Sequence, residues 1–180
     1  MSEDYRIRRA TLDERPALER LIAESARGLS REDYSDEQIE AAVAAVFGVD
    51  TDLIHDGTYY VAEASGELIG CGGWSRRRTL FGGDRFAVRD SGELDPATEA
   101  AKIRAFFVLP AWARRGVGAA ILAACERDAK AHGFRSLELM ATLPGVKLYA
   151  ARGYEAGERV TLQVGEGVAV EFVPMRKDLS

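Results

Sequence analysis

The segment Ile103 to Leu122, "IRAFFVLPAWARRGVGAAIL", limits the fold more than any other part of the chain. It opens with an apolar run ended by Pro110, and the residue before a proline is pushed to extended geometry. Past Arg115, the residues Val117, Ile121, Leu122 and Cys125 recur at helical spacing on one side. The segment therefore predicts a buried strand, a loop and an amphipathic helix. At the joint stand Arg114, Arg115, Gly116 and Gly118. A helix start already presents positive charge through its free N–H groups and dipole, and normally favours acidic neighbours. Two arginines there make sense where an anion is held, and glycines let a phosphate approach the backbone closely.

Two familiar phosphate motifs do not fit. There is no Gly-Lys-Ser/Thr, which excludes a P-loop. A dinucleotide fingerprint starts its glycines directly after the strand and puts glycine or alanine where this chain has Ile121. Here six residues, Pro110 to Arg115, intervene. Glu138 lies near the spacing of a ribose-binding acid, but the chain then runs out of strand–helix units.

The flanking sequence supplies the other elements. Tyr5 to Ala10 alternates as a strand. Thr11 and Glu14 form a capping-box pattern before Pro16, and Leu18, Leu21 and Ile22 give the following helix an apolar face. A second box, Ser35 to Gln38, precedes Ile39, Val43, Val46 and Phe47, with Gly48 as the expected stop. "TYYVAEA" and "ELIGCGGWS" read as a hairpin across Ser65 and Gly66. Residues from Arg76 to about Ala100 form a polar connection, either a solvated surface loop or a substrate lid. Lys130 and His132 fall in the last turn of the helix after Arg115, which Gly133 ends, and "SLELMAT" is a further strand. A short helix runs from about Pro144 to Arg152 and stops at Gly153. "RVTLQVGEGVAVEFV" is a closing hairpin. The order is β-α-α-β-β-β-α-β-α-β-β, a mixed α/β layer fold, and 180 residues suit one domain over 1–180.

Net charge is −5, which argues against general binding to nucleic acid or an acidic membrane. The N-terminus lacks an apolar leader and no run is long enough to span a bilayer, so a cytoplasmic location is expected. Cys71 and Cys125 lie in apolar segments without metal spacing. Buried thiols are expected, and no metal site.

The pattern V-x-P-x-x-x-R-R-G-x-G-x-A-x-L, Val108 to Leu122, resembles the acetyl-CoA-binding motif of the GNAT-superfamily N-acetyltransferases. "LYAARGY", Leu148 to Tyr154, is similar to that family's second signature, and the strand and helix order matches as well. The resemblance implies a central mixed β-sheet flanked by helices, with acetyl-CoA as cosubstrate and no metal. It assigns the pantetheine arm to the backbone of Phe106, Phe107 and Val108. It assigns the pyrophosphate to the N–H groups of Arg115, Gly116, Val117, Gly118, Ala119 and Ala120. Where the family usually has Gln or Arg this chain has Ala113, so Arg114 or Arg115 would supply the side-chain charge. Tyr149 matches the family's general acid. The implied reaction is direct attack by the primary amine of a small molecule or peptide, and a homodimer is compatible with many relatives.

The general base is not indicated. Where some relatives carry a glutamate, this chain has Lys102, with Arg104 two residues on. Glu63, His55, Glu138 and Asp84 are candidates, as is a chain of waters. Arg76, Arg77 and Arg78 could join Lys102 and Arg104 around an acidic acceptor, or be a solvated charge run. Trp74 could pack in the core or floor an acceptor pocket. Two other readings stay open: a regulatory module of the same fold that binds acyl-CoA without transfer, and a nucleotide-binding domain using the same turn.

Overall fold

The computed structural model describes residues 4–86 and 90–179. Residues 87–89, within the polar connection after Arg76, lie outside the described residues, as do 1–3 and 180. The strands are β1 (Arg6–Arg9), β2 (Tyr59–Ala64), β3 (Glu67–Ser75), β4 (Ala101–Val108), β5 (Ser136–Thr142), β6 (Glu155–Ala156), β7 (Val160–Gly165) and β8 (Val168–Asp178). The helices are α1 (Arg15–Leu29), α2 (Asp36–Ala45), α3 (Thr51–Asp56), α4 (Val117–Ala131) and α5 (Val146–Ala151).

Both capping boxes form as expected, Thr11 with Glu14 and Ser35 with Gln38. Pro16 sits in the first turn of α1, where its missing N–H costs no hydrogen bond. Two elements go beyond the sequence reading. The six-residue α3 is capped by Asp50 and closed by Gly57 at φ 75°, a left-handed conformation open to glycine. The two-residue β6 is too short to show alternation. The second helix also ends sooner than Gly48, so that Val46 and Phe47 leave its axis and turn into the core.

One eight-stranded sheet runs β1-β2-β3-β4-β5-β8-β6, with β7 pairing onto β8. Its pairings are antiparallel except β4 with β5, which is parallel and crossed over by α4. Strand alternation sends Tyr60, Ala62, Ile103 and Leu137 to one face, against Val117, Ile121, Leu122 and Cys125 of α4. Tyr59, Val61, Cys71 and Phe172 go to the other, against α1, α2 and α3. Cys71 and Cys125 are free and buried, and burial pushes the Cys71 thiol up to about 12. Trp74 is a core residue, and its Nε1–H donates to Asp128 at 2.9 Å.

The parallel β4–β5 ladder comprises Ala101 against Leu137 and Lys102 against Glu138, and then stops. Beyond it β4 stays on β3 as far as Val108, and β5 stays on β8 as far as Thr142. Each strand keeps its outer partner while leaving the other. A wedge opens through the middle of the sheet.

Candidate active site

The wedge begins just past a break in β4. The register between β3 and β4 shifts between Cys71 and Gly73, so Ala105 and Phe106 bulge opposite Gly72. Ala105 has φ 55°, a left-handed conformation that costs an alanine on the order of 1–2 kcal/mol. Tyr59 holds it there, its Oη–H donating to the Ala105 carbonyl at 3.0 Å. The Phe106 ring lies where a Cβ on Gly72 would stand, 2.6 Å from that position. Gly72→Ala must push the ring toward the wedge, and is expected to cost ~1–3 kcal/mol by overpacking. Urea unfolding of the variant checks this, and an unchanged midpoint would mean that the ring moves freely.

Tyr149, on α5, is buried beside the opening, edge-on to Phe106 at 6.1 Å and to Tyr154 at 5.8 Å between ring centroids. Burial, with the neighbouring Cys125, raises its phenol above the ordinary tyrosine value. The entry to α5 is fixed by Tyr34, whose Oη–H donates to the Glu171 carbonyl at 2.5 Å while accepting the Leu143 N–H at 2.9 Å. Tyr34 is a residue that the sequence reading missed. It lies between the two capped helices, with no local signal of a partner more than a hundred residues away.

At the end of β4 a single 3-10 turn, Pro110–Trp112, leads into Arg114 at φ 60° and Gly116 at φ 83°. Alternating turns of this kind point successive N–H groups into one concavity. The Ala120 N–H donates to the Gly116 carbonyl and closes the first bond of α4. Those of Val117, Gly118 and Ala119 therefore lie at the open helix end. Gly118 is where the turn meets α5, since a Cβ there would stand 3.1 Å from Leu148. The Arg115 guanidinium stacks over Trp112 at 4.1 Å. Arg114 and Arg115 are exposed, and neither has a carboxylate partner among the described residues. The Val108 N–H, on the β5-facing edge of β4, donates to Ser25 Oγ of α1 at 3.2 Å.

The cationic residues do not gather as an anion site. Arg76 and Arg77 pair with Asp56, Arg76 also reaches Glu93, and Arg78 pairs with Glu99. Lys102 binds Glu138 across the ladder, with burial lowering its pKa. Arg104 is buried against Asp50 at 2.8 Å and donates to the Thr79 and Gly82 carbonyls. Of the candidate bases, Glu138 is tied to Lys102 on the last rung of the ladder, and the others are dispersed. Glu63 is held by Arg6 and Arg8 at the sheet edge, Asp84 by Thr51 and Arg15, and His55 is exposed on α3.

Comparison with known proteins agrees with this geometry. The model of the Acetyltransferase (GNAT) family matches residues 16–154. The chain belongs to that family, and is an acetyltransferase of the GNAT fold. A GCN5-related N-acetyltransferase structure from Rhodopseudomonas palustris is 22% identical, with a TM-score of 0.74, over 99% of this chain and 98% of that one. The PaiA N-acetyltransferase of Thermoplasma acidophilum, solved with coenzyme A, is 16% identical over 99% of both chains, with a TM-score of 0.65. The N-acetylglutamate synthase of Neisseria gonorrhoeae, solved with coenzyme A and N-acetyl-glutamate, is 18% identical, with a TM-score of 0.57. It matches all of this chain (100%) to 36% of that one. No curated protein matches the chain. Among the described residues, no helix is long and apolar enough to cross a membrane.

Proposed function

We propose that the protein moves an acetyl group from acetyl-CoA to an amine by direct attack within the wedge between β4 and β5. The observation that carries this reading is the parting of the two strands after Lys102, with Tyr149 at the opening and the Arg114–Val117 turn at the strand end. The coenzyme A in two structures of the same fold supports it. In this reading the β5-facing edge of Phe106, Phe107 and Val108 takes the pantetheine amides, and Ser25 yields the Val108 N–H. The N–H groups from Arg115 to Ala119 take the pyrophosphate, and Arg114 and Arg115 add charge. Ala120 contributes through the helix it closes rather than through a free N–H.

Acetyl-CoA supplies a thioester carbonyl. The amine nitrogen forms the new C–N bond, the C–S bond breaks, and sulfur leaves with the electron pair. The Tyr149 O–H, which its raised pKa keeps protonated at neutral pH, donates to that sulfur. The proton lost by nitrogen goes to water.

Thermal unfolding with acetyl-CoA, CoA, ATP and NAD tests the site. A ligand at one hundred times its Kd adds ~2.7 kcal/mol to native stability. For a chain of this size that is a rise in Tm of roughly 5–10 °C. The rise is expected with acetyl-CoA and CoA alone. No rise with either, or an equal one with ATP or NAD, would remove the reading.

A further inference from the structure

The wedge runs from one face of the sheet to the other, and its two ends differ in chemistry. On the α4–α5 side stand Tyr149 and Phe106. On the α1–α2 side stand Phe47, Phe81, Phe107 and Phe172. These four rings form one connected group. Phe47 lies 5.4 Å from Phe107 and 6.5 Å from Phe172, and Phe81 lies 6.1 Å from Phe172. Of the described residues lining the cleft, Arg104 is the one that carries charge, and Asp50 neutralises it. The enclosed space is about 70 Å³. That is room for a few waters, so the reacting end of a molecule enters while the rest of its body lies along the half-buried Phe81 and Phe107.

Resting on the acetyl-transfer reading of the wedge, we infer that the acceptor is an amine carried on an aromatic or branched aliphatic body, and that it enters as the free base. A polyamine would bring further cations to an aromatic wall with no unpaired carboxylate among the described residues, and would lose hydration without compensation. Among the described residues of the cleft an acidic acceptor finds only Arg104, which Asp50 already holds, and the arginine run and Lys102 are paired elsewhere. An apolar body gains burial on the half-buried Phe81 and Phe107, with the buried Phe47 and Phe172 packed behind them. Free-base entry follows from the same lining. Its described residues include no carboxylate or imidazole to strip an ammonium, so the acceptor loses its proton before it reaches the thioester.

The test compares phenethylamine, isoamylamine, spermidine, glutamate and a short acidic peptide as acceptors, with thiol release as readout and acetyl-CoA binding measured in parallel. The expected result is a kcat/KM for the two apolar amines at least tenfold above the other three. Its acidic limb should also move with the pKa of the amine when ring-substituted phenethylamines are compared. Phe81→Ala should reduce the tenfold preference while leaving the thermal shift with acetyl-CoA intact. Should acetyl-CoA bind while spermidine, glutamate or the peptide is preferred, or should the limb stay fixed across amines, this inference is overturned and the site reading survives. Should acetyl-CoA fail to bind the folded protein, the site reading falls and the inference with it.

Discussion

Tyr149→Phe is expected to lower kcat by ~10²-fold, with the affinity for acetyl-CoA nearly unchanged. The size follows from the environment of the hydroxyl. A positioned acid contributes ~10²–10⁴-fold, most where its pKa lies near the working pH. Burial moves Tyr149 the other way, above the ordinary tyrosine value and well above the ~8.5 of a thiol. Complete transfer of its proton to a free thiolate would be uphill. In the proposed reaction the hydroxyl therefore acts by donating a hydrogen bond to sulfur as charge develops, which places its contribution at the low end. Phenylalanine keeps the edge contacts to Phe106 and Tyr154, so folding and cosubstrate binding are preserved. Steady-state kinetics with isothermal titration of acetyl-CoA separate the cases. A variant that loses affinity and keeps kcat would take Tyr149 out of the acid role.

Arg104→Met is expected to destabilise the fold by ~3–5 kcal/mol, the cost of breaking a buried ion pair by removing one member. The Arg104 side chain is 2% exposed and that of Asp50 0%, so little water reaches either. Asp50 also caps α3 by accepting the Asp52 N–H at 3.1 Å. The neutral Asp50→Asn retains that acceptor without the charge. Adding it to Arg104→Met should recover part of the loss, since the pair is then replaced rather than broken. Urea midpoints of the two variants measure this. A cost for Arg104→Met below about 1 kcal/mol would mean that the pair is effectively solvated, as surface bridges are. The same guanidinium holds the Thr79 and Gly82 carbonyls, so its loss should also loosen the segment carrying Phe81.

What could be read from the chain, and what could not, divides by distance along it. The capping boxes at Thr11 and Ser35, the proline-ended β4 and the glycine turn before α4 are local signals, and each forms where the residues place it. The bulge at Ala105 has no such signature, because an alanine at positive φ looks like any strand alanine. Tyr59 fixes it from 46 residues away. Arg104 read only as a strand cation beside Lys102, and Asp50 and Tyr34 carried no local signal of their partners. The arginine run at Arg76 was readable as charge. Its carboxylate partners, Asp56, Glu93 and Glu99, are brought in by α3 and by the returning connection. Tyr149 and the Arg114–Gly118 turn could be singled out because each lies in a local motif; the rings of the proposed acceptor side could not, because they come from four separate segments.

The position of β8 has a consequence for synthesis. It lies between β5 and β6, both of which precede it in the chain. Until its eleven residues have been made, β5 presents a full row of unpaired backbone groups beside the buried Leu137, Leu139 and Ala141. An open strand edge of this kind invites pairing with another chain. A chain whose β8 has not yet docked thus carries an adhesive edge, whether newly made or refolding. Refolding yield is therefore expected to fall as protein concentration rises.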